Sequence, residues 1–246
     1  MYSVVFAHTP HTFDPLVEQL WAHGTTGIIE HSTTLEAFFE DPDVVAHLNP
    51  LTITEAENVD WEQYTKDSFP AAEVGTRFFL APPWSVEPTP TGRIRLVINP
   101  GLACGTGYHP CTQLCLEALE RYLKPGMTLL DVGAGSGILS IAATHLGAHP
   151  IACDVDPEAI PYCDTPLKFV GSSNAIKPRS FDALVANISA GTNLELWPEY
   201  INIVKPGGVI ILSGFEDFAP PAPPLQRLEQ DGWLCYVFVT SSATSA

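Results

Sequence analysis

Basic side chains are scarce in this sequence. Of its 246 residues, 11 are Lys or Arg against 28 Asp or Glu, a formal net charge of −17. A surface this acidic repels phosphate backbones, so direct nucleic-acid binding is not expected. It favours cationic ligands, such as a sulfonium compound or a lysine-rich protein, and it also keeps a protein soluble. Charged residues of both signs make up only 16%, which fits an α/β protein whose central strands are buried on both faces. Paired cysteine motifs are missing. Cys104, Cys111, Cys115, Cys153, Cys163 and Cys235 include no C-x-x-C pair, which argues against a zinc site and a disulfide framework. Cys111 and Cys115, spaced i, i+4, share a helix face and read as buried reduced thiols. No run reaches the roughly 18 apolar residues of a membrane span. Met1 to Ala7 has no basic stretch leading into a long apolar one, so no leader and no membrane partner are expected, and a reducing cytoplasm is the expected location.

Hydrophobic residues form 46% of the chain, enough for one large core and a small second unit. Residues 1–57 read as a small unit in the order β-α-β-β-α-β, the ferredoxin-like pattern. Its strands are Tyr2–Ala7, Thr26–Ile29, Leu35–Phe39 and Leu51–Thr54. Asp14 is placed to cap a helix from Pro15, ended by Gly24, and Asp41-Pro42 opens a second, short helix. Residues 58–92 read as a connector, helical near 59–69, strand-like at Arg77–Leu80, and proline-rich from Ala81 to Pro90. From Arg93 to residue 246 strands and helices alternate. Helices are expected at Thr112–Leu123, Ile138–Leu146 and Pro223–Asp231. Strands are expected at Leu129–Val132, Ile151–Val155, Leu167–Val170, Ala183–Ala186, Val209–Leu212 and Leu234–Thr240. Such alternation implies a Rossmann-like, mostly parallel sheet covered on both faces.

One stretch carries the chemistry. Leu130-Asp131-Val132-Gly133-Ala134-Gly135-Ser136-Gly137-Ile138 runs from an apolar strand through a glycine turn into a helix. The glycines let the backbone turn sharply and approach a ligand closely. A nicotinamide fingerprint would place its third glycine at position 138; here the spacing is G-x-G-x-G. Seventeen residues after Gly137, the next strand ends in Asp154, which can accept hydrogen bonds from two ribose hydroxyls or cap the following turn. Asp156-Pro157 reads as a helix start. The strand through Phe181–Ala186 ends in Asn187, which can offer carbonyl oxygens to an N–H donor or simply close the strand. Upstream, the glycine-rich segment from Asn99 to Thr112 enters a helix, so Thr112 lies near an N-terminus able to hold a carboxylate. His109 is a candidate base or a structurally bonded loop histidine.

Asn99-Pro-Gly-Leu-Ala-Cys-Gly-Thr-Gly-Tyr-His-Pro110, Asp131-Val-Gly-Ala-Gly-Ser-Gly-Ile-Leu139, Asp154-Val-Asp-Pro157 and Val185-Ala-Asn-Ile188 together resemble the bacterial ribosomal protein L11 methyltransferase (PrmA) family. Asp60 to Phe69 resembles its linker, and the likeness covers roughly residues 58–215. The resemblance implies a class I methyltransferase domain with a seven-stranded sheet at 93–246, behind a substrate-recognition domain at 1–57. It implies S-adenosyl-L-methionine as cofactor, contacts at Thr112, Gly133, Asp154 and Asn187, with Gly135 and Gly137 in the same turn, and Asn187 as the catalytic position. It implies a ribosomal or other lysine-bearing protein as substrate, methylated on amino groups. The family carries a long helix after the D-x-D-P segment. Here Pro161 and Pro166 exclude a regular helix interior, and only residues 157–180 separate Asp156 from Phe181.

Overall fold

The computed structural model describes residues 1–9, 12–31, 33–56, 61–99 and 107–241, and divides into two compact units, Met1–Ser68 and Phe69–Ala246.

The first unit contains β1 (Tyr2–Ala7), α1 (Phe13–Ala22), β2 (Gly27–Glu30), β3 (Thr34–Phe39), β4 (Thr52–Glu55) and α2 (Trp61–Ser68). The four strands are ordered β2-β3-β1-β4 and every pair is antiparallel, which is the ferredoxin-like arrangement. Val4 and Phe6 of β1 pack with Leu35, Ala37 and Phe39 of β3 against Leu20 of α1, as period-two alternation requires. Two local expectations shift. The first helix starts at Phe13 rather than Pro15, after Thr12, so Asp14 lies inside it and not at its cap. The second helix is a 3₁₀ segment, Pro42–Leu48, whose cap Asp41 accepts a hydrogen bond from the Asp43 N–H.

In the second unit, β5 (Ala72–Val74), β6 (Phe78–Ala81) and β7 (Ile94–Val97) form a three-stranded sheet. Two of these strands fall in the stretch read as a connector, and Phe78 and Leu80 are fully buried in the main core. The remaining elements are α3 (Pro110–Tyr122), β8 (Thr128–Val132), α4 (Ile138–His145), β9 (His149–Asp154), β10 (Lys168–Val170), β11 (Phe181–Asn187), α5 (Ala190–Ile203), β12 (Val204–Phe215), β13 (Gln226–Gln230) and β14 (Trp233–Val239). Seven strands are ordered β10-β9-β8-β11-β12-β14-β13. The first five are parallel, and β14 and β13 are antiparallel additions. Neighbouring residues on the central strands serve opposite faces. Leu129 and Val185 join one core with α3 and α4, while Leu130 and Leu184 join the other with Tyr200 of α5. Burial on both faces accounts for the near-continuous apolar runs.

Three expectations are corrected here. Pro223–Asp231 is not a helix. Gln226–Gln230 is strand β13, joined to β14 through Asp231-Gly232, both with positive φ (51° and 86°). That two-residue Asp-Gly link is a strong hairpin signal, and it overrides the helical spacing. The sequence reading assigned no element to residues 190–203, yet α5 is there, with Ser189 capping the Thr192 N–H and Pro198 inside it. Gly191 and Pro198 hid it, because both punctuate a helical pattern. Finally, Asp156-Pro157 opens no helix. Turns and one 3₁₀ turn, Ile160–Tyr162, occupy the crossover from β9 to β10, consistent with the two prolines.

Candidate active site

The chain leaves β8 for β9 on one side and returns to β11 on the other, so the sheet's switch point lies between β8 and β11. Ligands of such sheets bind beyond the carboxyl ends of the strands at that point. A cleft of about 1120 Å³ opens there, lined among others by Thr112, Gly133, Gly135, Asp154 and Asn187. Five of the six expected site residues thus meet in one place. Gly137 does not line it. Gly137 instead precedes α4 with φ of 78°, and a Cβ there would lie 2.5 Å from Cys163 Sγ. Its role is to let the helix start against the crossover. Of the upstream loop, residues 100–106, Cys104 among them, lie outside the described residues. The other five cysteines are free and buried.

The glycine turn is held from two sides. The Gly133 and Ala134 N–H groups both donate to the Cys153 carbonyl of β9. The Gly135 N–H donates to Asp154 Oδ2 (2.9 Å), and Asp154 Oδ1 accepts from the Asp156 N–H (3.0 Å). Asp154 therefore ties turn and strand end together. Gly133 and Gly135 have φ of 68° and 51°, a region costly for residues with a Cβ. A Cβ on Gly133 would also collide with Ile188.

Asn187 closes β11. Its Nδ2 donates to Thr112 Oγ1 (3.1 Å), at the third position of α3. With the amide fixed that way, Oδ1 is buried and has no partner among the described residues. An unpaired buried acceptor costs about 1–3 kcal/mol, which an N–H donor entering the cleft would offset.

Asp131, before the glycine turn, is 1% exposed and accepts from Ser140 Oγ (2.7 Å). Burial pushes its carboxyl up to about 6, against the lowering effect of Ser140. It is not among the residues that line the cleft.

His109 also lines the cleft. Its Nδ1 contacts Cys111 Sγ (2.6 Å), and its ring meets Trp233 edge-on with centroids 4.3 Å apart. Ile188, Ser189, Thr192 and Trp233 were missed by sequence reading. Trp233 arrives through the unrecognised hairpin, and Ser189 and Thr192 begin the unrecognised helix.

The profile of the family described as Ribosomal protein L11 methyltransferase (PrmA) matches residues 16–217. The chain belongs to the ribosomal protein L11 methyltransferase family. A protein of that description from Azotobacter vinelandii is 38% identical, the alignment covering 86% of this chain and 82% of the relative. One from Photorhabdus laumondii is 35% identical, over 86% and 77% respectively. A solved ribosomal protein L11 methylase from Lactobacillus delbrueckii superposes with a TM-score of 0.63 at 26% identity, over 70% of this chain and 98% of that one. The chain is thus a methyltransferase with the class I fold, and its antiparallel β14-β13 end and β8–β11 switch point are features of that fold in this molecule. Among the described residues no helix is long and apolar enough to cross a membrane.

Proposed function

We propose that this methyltransferase takes its methyl group from S-adenosyl-L-methionine and places it on amino groups of ribosomal protein L11, at lysine side chains and the N-terminus. The observation that carries this reading is Asn187, which lines the cleft with the glycine turn and Asp154 and whose buried Oδ1 has no partner among the described residues. The residues present fit the cofactor. The half-buried Gly133 and Gly135, which line the cleft without a side chain, admit close approach, and Asp154 retains lone pairs for hydroxyl donors. At about 1120 Å³ the cleft exceeds the roughly 300–1,000 Å³ of a site for one small ligand, leaving room for an acceptor side chain.

When bound, the cofactor supplies an electrophilic methyl carbon on a positively charged sulfur. Asn187 Oδ1 accepts an N–H from a neutral acceptor amine and so aims the nitrogen lone pair along the transfer direction. Thr112 holds the Asn187 amide in the orientation this needs. Positioning and exclusion of water provide the rate enhancement, with no covalent enzyme intermediate. The net charge of −17 favours approach of a lysine-bearing partner and disfavours nucleic acid. Residues 1–57 are assigned the recognition of that partner and 93–246 the transfer, with 58–92 between them.

The test is methyl-labelled cofactor with purified L11 and, in parallel, with a whole-cell lysate. Label on L11, and a kcat for Asn187→Ala reduced by about 10²–10³-fold, are the expected results. Label only on some other lysate protein would overturn the acceptor. Absence of calorimetric binding of both the cofactor and its demethylated product would overturn the whole reading.

A further inference from the structure

Behind the strand end that carries Asn187, a second asparagine is enclosed in the core. Asn193, the fourth residue of α5, is fully buried. A polar side chain costs free energy there unless it is bonded, and asparagine is a poor residue for a helix interior. Its bonds show what it holds. Nδ2 donates to the Ile188 carbonyl (2.8 Å) and to the Ser213 carbonyl (3.1 Å). Both partners are carbonyl oxygens, which only accept, so they fix the orientation of the amide; a flipped amide would face them with its own oxygen. We propose that Asn193 is a positioning residue for methyl transfer. It locks the backbone of residues 187–189 to β12, and so fixes the strand end from which Asn187 reaches into the cleft.

The locked segment is held on several sides. The Ile188 N–H donates to the same Ser213 carbonyl (3.1 Å), so that oxygen spends both lone pairs on this one crossing. With its N–H bonded to Ser213 and its carbonyl to Asn193, Ile188 has both flanking peptide planes fixed. Its backbone lies flush on Gly214, where a Cβ would collide with the Ile188 carbonyl oxygen. Its side chain reaches the glycine turn, where a Cβ on Gly133 would collide with it. Asn187, Ile188, Ser189 and Gly214 line the cleft and Asn193 does not, so any effect of Asn193 on the reaction passes through the residues it holds. Thr112 secures the Asn187 side chain from α3; Asn193 secures the adjoining main chain from α5. A misplacement of about 1 Å in a group that aims a reactant costs on the order of 10²-fold in rate.

The inference rests on the role proposed for Asn187, but its first test needs no methyl transfer. Amide hydrogen exchange is read at Ile188 by NMR in the full chain, for the parent, Asn193→Leu and Asn193→Ala. Leucine keeps the volume without a donor, and alanine cannot clash if leucine does. Either variant should speed exchange at Ile188 by about tenfold or more while the β8 amides keep their protection. Unchanged exchange at Ile188, or a uniform rise throughout the second unit, would overturn the proposal and leave Asn193 a core residue. The second test is kinetic. Asn193→Leu should lower kcat by about 10- to 100-fold, with cofactor Kd and acceptor KM within about threefold. Placed on Asn187→Ala, the same substitution should cost less than about twofold more, because the group it positions is gone. Losses that multiply, or an unaltered kcat in Asn193→Leu, would overturn the proposal while Asn187 keeps its role. An Asn187→Ala enzyme as fast as the parent would instead sink the reading of Asn187 and this one with it. Label on a protein other than L11 would change only the acceptor, on which the same variants are then compared.

Discussion

Substituting Asp154 separates cofactor binding from scaffolding. Its Oδ2 already accepts from Gly135 and its Oδ1 from Asp156. A carboxylate has about four lone-pair sites, so two remain, one on each oxygen, for a pair of ribose hydroxyls. Hydrogen bonds to a charged group contribute about 1.5–3 kcal/mol each. Asp154→Ala removes both, weakening cofactor affinity by about 3–6 kcal/mol, roughly 10²–10⁴-fold in Kd. Asp154→Asn keeps a single acceptor oxygen and should lose about 10- to 150-fold. Asp154→Ala also frees two backbone N–H groups and Asp154→Asn one, but Asp154 is only half-buried, so water replaces those bonds at about 1 kcal/mol. The assay is calorimetry with S-adenosylhomocysteine, which binds without turnover, alongside thermal unfolding of the same samples. An alanine variant that stays folded and binds within about threefold of the parent would refute the ribose assignment and leave Asp154 a structural tie.

Gly137→Ala should destabilise the second unit by about 2–4 kcal/mol, from a left-handed backbone and a methyl 2.5 Å from Cys163 Sγ. Urea unfolding measures it, and adding Cys163→Ala should recover part of the loss; full recovery would mean that φ carries no cost there. Asp131→Asn tests the buried carboxyl. Because its folded pKa of about 6 lies above the unfolded value, the native state binds the extra proton. The wild type therefore loses stability as pH rises from about 4 to about 6, by roughly 3 kcal/mol. The stability difference between wild type and variant should change by that amount across this window and be flat above it; a difference independent of pH would refute the shift. Thr112→Val should free the Asn187 amide and lower kcat about tenfold, with cofactor Kd less affected. Equal kcat by steady-state methyl-transfer assay would show that Asn187 needs no such support.

Much of this molecule was legible in its chain because the informative features are local. The strand–glycine-turn–helix of residues 129–146 follows from apolar runs and from glycine's access to positive φ. Asp154 and Asn187 were found because each ends a buried strand, where a polar residue stands out. Helix α5 and strand β13 were not legible in this way. In α5, packing of Tyr200 and Ile203 against the sheet outweighs the local cost of Gly191 and Pro198. In β13, Gln226–Gln230 has a spacing compatible with either state, and the Asp231-Gly232 turn that pairs it with β14 decides it.

The sequence by itself determined the alternation of strands and helices around the glycine turn, that turn itself, and the two polar strand ends, since each is written in residues adjacent along the chain. Only the tertiary structure decided that Thr112, 75 residues from Asn187, turns that amide so that its oxygen has no partner among the described residues. Only it decided that Gly137 faces Cys163 rather than the cleft, and that Cys111 and Trp233 meet on one histidine ring. Those are contacts between distant segments, and their geometry is set by how the sheet's edges and helices pack rather than by any pattern along the chain.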